Sequence, residues 1–66
     1  MYKLIKIENG LYNVTENDKV IAIVQRNKRG GYDRTIYHAL SGRWIQPAAF
    51  NHFATLKDVK KRYDIT

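Results

Sequence analysis

The chain has 66 residues, 12 Lys plus Arg against 6 Asp plus Glu, a formal net charge of +6 and no cysteine. That length predicts a single domain, residues 1–66, with a small core, because so short a chain buries only about 60% of the surface it exposes unfolded. A disulfide scaffold and Cys-type zinc sites are excluded. The longest apolar run, residues 20–24, falls far short of the roughly 20 residues of a membrane span.

Residues 2–7 interleave lysine with apolar residues in strand fashion, with Leu4 on one face and Ile5 and Ile7 on the other. No leader-type apolar block is readable there, so the expectation is a cytoplasmic protein without a membrane partner. Asn9 and Gly10 follow, a strong hairpin signal of the type I′ kind, in which both central residues take positive φ. Residues 11–15 read as the partner strand, and the polar residues 16–19 as a second turn. Residues 20–25 are β-branched and apolar on both faces, as in a central strand. Residues 27–31 (NKRGG) form a third turn, residues 32–40 a long strand, and Ser41 and Gly42 a break. Residues 43–45 read as a short last strand before Pro47 stops pairing, and residues 48–53 as loop or a short helical turn.

The last element is the best specified. Thr55 as N-cap and Asp58 at the third helical position form a capping box, with Phe53 ahead of it stapling onto Val59. Leu56, Val59 and Tyr63 recur at helical spacing and the cations come late, predicting a helix over about 55–63. So short a helix must lie on the sheet to be stable. The predicted fold class is α+β: an antiparallel sheet of four to five strands with one C-terminal helix packed on one face. A single short helix leaves the other face solvated, used for binding, or paired with a second copy.

The charge is unevenly spread. Residues 1–25 sum to zero, residues 26–43 to +4 and residues 44–66 to +2. Localised cations are the footprint of a polyanion binder. The segment KRGGY at 28–32 sets two cations and an aromatic beside glycines that let a backbone come close. The predicted nucleic-acid contacts are Arg26, Lys28, Arg29, Tyr32, Arg34 and Arg43, joined by Lys57, Lys60, Lys61 and Arg62 on the helix. The plainer readings are solvated turn charges for Lys28 and Arg29, cross-strand packing for Tyr32 and a core position for Trp44.

Residues 53–64, FATLKDVKKRYD, resemble the strand-to-helix junction of AP2-type and phage-integrase arm-type DNA-binding domains. The resemblance implies a three-stranded sheet backed by a C-terminal helix, with the sheet in the DNA major groove. It also implies Arg26, Arg34, Arg43 and Trp44 as contacts on the exposed sheet face. It covers twelve residues, and this chain adds an N-terminal hairpin and a longer stretch between the last strand and the helix.

No enzymatic constellation is legible. His38 and His52 have no metal-type spacing, the carboxylates are scattered, and Gly30-Gly31 is too short for a phosphate loop. The expectation is a non-enzyme with no cofactor and no metal. Two functions compete: a small non-catalytic nucleic-acid-binding module, for DNA ahead of RNA, and a phage-type accessory protein that binds and inhibits or modulates an acidic host protein. A homodimer through a sheet edge or the open face is a third. The Ile-, Lys-, Asn- and Tyr-rich composition suits an AT-rich bacterial or phage genome.

Overall fold

A computed structural model describes residues 1–46 and 52–65. Five strands run as a meander: β1 (Tyr2–Glu8), β2 (Leu11–Glu16), β3 (Lys19–Arg26), β4 (Tyr32–His38) and β5 (Arg43–Ile45), each antiparallel to the next. A two-residue strand, β6 (His52–Phe53), pairs with the start of β4, and helix α1 (Leu56–Arg62) follows it. The fold is an antiparallel sheet of five to six strands with one short C-terminal helix, and β3 is central as its apolar content requires. Of the segment at 48–53, residues 52–53 form β6 rather than loop or helix, and 48–51 lie outside the described residues. No helix among the described residues is long and apolar enough to cross a membrane.

The turn chemistry differs from expectation. At Asn9–Gly10 only Gly10 has positive φ, +79°, so that turn is not type I′. At the β2–β3 turn, Asn17 and Asp18 both do, at 51° and 67°, between the paired residues Glu16 and Lys19. The type I′ pattern therefore belongs to the second hairpin, on two residue types that tolerate the left-handed region.

The core lies between the sheet and the helix. Val14, Ala22, Val24, Tyr32 and Val59 are buried, with Leu4, Tyr12, Ile36, Phe53, Leu56 and Tyr63 packed against them. Val59 is the one buried helix residue among those described, so the helix's share of the packing is small. Thr55 caps the helix as predicted: its Oγ1 accepts from the Asp58 backbone N–H at 3.2 Å. The helix ends in a Schellman pattern, with Ile65 N–H bonded to Lys60 O at 2.7 Å and Asp64 N–H to Lys61 O at 3.3 Å. Asp64 holds the left-handed position, φ 56°, that glycine usually fills.

β6 comes close to the β3–β4 turn. A Cβ on Gly31 would sit 2.8 Å from the Phe53 backbone oxygen, a clash with backbone that forces β6 or the 27–31 turn to move. Gly31→Ala is therefore expected to destabilise the chain by about 1–3 kcal/mol. That lowers the melting temperature by roughly 4–8 °C per kcal/mol in a domain of this size, read by thermal unfolding.

Candidate nucleic-acid interface

Residues directly opposite on neighbouring strands share a face, and side chains alternate along each strand. One face carries the rows Leu4–Val14–Ala22–Ile36 and Lys6–Tyr12–Val24–Arg34, with Tyr32 opposite Phe53. This is the helix side, since Tyr63 meets the rings or guanidinium of Tyr2 and Arg34. The other face carries the row Ile5–Asn13–Ile23–Thr35, together with Tyr37 opposite Trp44.

Sorting the cations by this register divides them sharply. Arg26 is opposite Tyr32, Arg43 opposite His38 and Lys19 opposite Glu16, which itself faces Tyr2. With Lys6 and Arg34, all of these belong to the helix side. Lys3, opposite Thr15, is the one strand cation on the open face among the described residues. Two irregularities in the register contribute. One leaves Ile7 as an extra residue, so Glu8 stands opposite Leu11 on the open face. The other leaves Ile21 extra, which moves Lys19 to the helix side. Simple alternation along each strand would have put both on the opposite faces.

The turn at 27–31 is held by Asn27. Its Oδ1 accepts from the backbone N–H groups of Arg29, at 2.9 Å, and Gly31, at 3.1 Å. Its Nδ2 donates to Asp33 Oδ1 at 3.1 Å. These N–H groups are thus used internally, and what the turn offers a partner is the exposed side chains of Lys28 and Arg29. They line an open depression with Asn27, Asp33 and His52. His52 Nδ1 lies 2.5 Å from Asp33 Oδ1. Hydrogen bonds from Asn27 and His52 hold the Asp33 carboxyl below the usual carboxylate range. A carboxyl depressed on folding stabilises the fold above its unfolded value of about 4, and that contribution disappears as pH falls through the lower folded value. Asp33→Asn is accordingly expected to lower the melting temperature near neutrality, where the carboxylate's contribution is present, and to converge on wild type as pH falls below about 4, read by thermal melts across pH.

The candidate contacts do not form one patch. Tyr32 and Arg34 are packed into the helix-facing layer, 8% and 7% exposed, so neither is a surface contact. Arg34 Nη1 donates to the Tyr63 hydroxyl at 3.0 Å, and its Cζ lies 5.6 Å from the Phe53 ring centroid and 5.7 Å from that of Tyr63. Arg43 is exposed but stands at the far end of β4 from Lys28 and Arg29, roughly 20 Å away at strand rise. The sheet-face contacts implied by the AP2-type resemblance therefore do not assemble: the three arginines lie on the helix side and only Trp44 on the open face. What stays exposed is Arg26, Lys28 and Arg29 at one end of the sheet and Lys57, Lys60 and Lys61 on the helix. Arg62 is exposed on the same helix.

No family model, curated protein or solved structure matches this chain. Its chemistry has to be read from its own residues. Among those described, no three His, Cys, Asp or Glu side chains converge as a metal site would require. His38 Nδ1 and Ser41 Oγ are 2.9 Å apart within the β4–β5 turn, where Ser41 N–H also bonds to the ring. Asp33's histidine partner is His52, directly opposite it on the adjacent strand β6.

Proposed function

We propose that this chain is a small non-catalytic nucleic-acid-binding module that engages phosphates with its helix side. The observation that carries the reading is the segregation of charge. Among the described residues, the exposed strand cations Lys6, Lys19, Arg26 and Arg43, together with the helix lysines, stand on one side of the sheet. Among the described residues, the opposite face holds one strand lysine, Lys3, against Glu8 and Asp33. A polyanion is drawn to such a field before any base is read. Duplex DNA is preferred over RNA because the cations ride on a capped helix and a turn braced by Asn27, which suit a regular backbone. Single-stranded RNA is read by stacking on exposed aromatics, and the exposed Tyr37–Trp44 pair is on the other face.

Fluorescence anisotropy with labelled duplex DNA, single-stranded DNA and RNA, repeated over a salt series, tests the reading. Duplex binding is expected to be tightest, with log K falling steeply against log salt. No binding at low salt overturns it, and a single acidic protein captured in a pull-down would then establish the accessory-protein reading instead.

A further inference from the structure

The open face of the sheet is not built for water. An antiparallel sheet with one solvated face alternates apolar and polar residues. Here Ile5 is 44%, Tyr37 41% and Trp44 42% exposed on that face, with Ile23 half-buried between them. Tyr37 and Trp44 already meet edge to face, ring centroids 5.5 Å apart, forming a preset aromatic ridge.

We propose that this face is a homodimer interface, on which a second copy of the chain packs sheet to sheet. Three observations select a second copy over other occupants. The first is charge. Two molecules of net charge +6 repel wherever their helix sides meet, whereas this face carries Lys3 against Glu8 and Asp33. Lys3 and Glu8 stand near opposite ends of β1, so a two-fold axis across the strands lays each lysine over the other copy's glutamate. An isologous interface requires such self-complementarity. The second is area. The molecule measures 31 × 25 × 21 Å, so its broad face offers on the order of 800 Å², the share each partner gives to a standard interface. The third is the thinness of the core. Among the described residues, the large side chains that are fully buried are Val14, Val24 and Val59, all on the helix side, and chains of this size commonly gain stability by oligomerising. Face-to-face packing would supply the missing layer, with Ile5, Ile23, Tyr37 and Trp44 from both copies interdigitating.

The interface leaves both helices outward, so it is independent of the nucleic-acid reading. The test is sedimentation velocity over a concentration series, read alongside acrylamide quenching of Trp44, the chain's single tryptophan. The mass is expected to rise from 7.8 kDa to twice that as concentration increases, with Trp44 becoming shielded over the same range. Ile5→Lys and Tyr37→Lys should each weaken association about tenfold or more, with the far-ultraviolet circular dichroism unchanged. Should either fail to fold, wild-type quenching still decides. A monomer at all concentrations overturns the proposal. So does a dimer in which Trp44 stays as accessible to acrylamide as in dilute protein, since that association uses another surface.

Discussion

Replacing Lys57, Lys60 and Lys61 together by glutamine is expected to reduce the log–log salt slope of duplex DNA binding by about 2.7, near 0.9 for each lost phosphate contact. Affinity falls most at low salt, where counterion release contributes most. The triple variant should remain folded. Leu56, Val59 and Tyr63 make the helix's inward contacts, Thr55 still caps it, and glutamine has nearly the helix propensity of lysine. Only the cation–dipole contribution of the last turn is lost, a few tenths of a kcal/mol per exposed residue. Lys28→Gln with Arg29→Gln should lower the slope by about 1.8 on the same arithmetic. Lys3→Gln, on the open face, should leave it unchanged. If Lys3 matters as much as the helix lysines, the charge-sided reading fails, because register places Lys3 and those lysines on opposite sides of the sheet.

The second large effect concerns stability. Arg34→Met is expected to stabilise the chain by about 1 kcal/mol, while Arg34→Ala costs about 3 kcal/mol. A chain of this length has only about 3–10 kcal/mol in total, so both shifts are plain in a thermal melt, at roughly 4–8 °C per kcal/mol. Arg34 is 7% exposed, its Nε has no hydrogen-bond partner among the described residues, and the neighbouring carboxylate, Asp33, bonds Asn27 and His52 on the other face of the sheet. Among the described residues, what compensates the buried charge is one bond to the Tyr63 hydroxyl and two aromatic faces. Desolvating a cation with so little return is costly. Methionine keeps the length and the sulfur–aromatic contact between Phe53 and Tyr63, whereas alanine leaves a gap between those rings. If Met is as damaging as Ala, the cation–π contacts themselves hold the helix in place. DNA affinity should be the same for Arg34→Met as for wild type, since the side chain does not reach the surface.

Much of the fold was legible in local chemistry. Alternation and β-branched runs marked four to five strands, Asn, Asp and Gly marked their turns, and Thr55 with the Leu56, Val59, Tyr63 spacing marked the helix and its inward stripe. Those features act within a few residues, through φ/ψ preference and period, so they can be read along the chain. The two residues of β6 have no period to read, and their pairing depends on Gly31 leaving room beneath the Phe53 carbonyl. Arg34 looked like a surface contact because arginine usually is one. Its neighbours Phe53 and Tyr63 are 19 and 29 positions away in sequence.

The sequence by itself determined an antiparallel meander, a capped basic helix and the excess of positive charge. Tertiary structure decided which side that charge occupies. A strand's period of two separates its residues into two sets but does not say which set will be covered. That was settled by β6 joining β4 and carrying the helix back over the Tyr32–Arg34 side, and by the extra residues Ile7 and Ile21. Each bulge turns the residues beyond it to the other face, and here the two together moved Glu8 away from the helix side and Lys19 onto it.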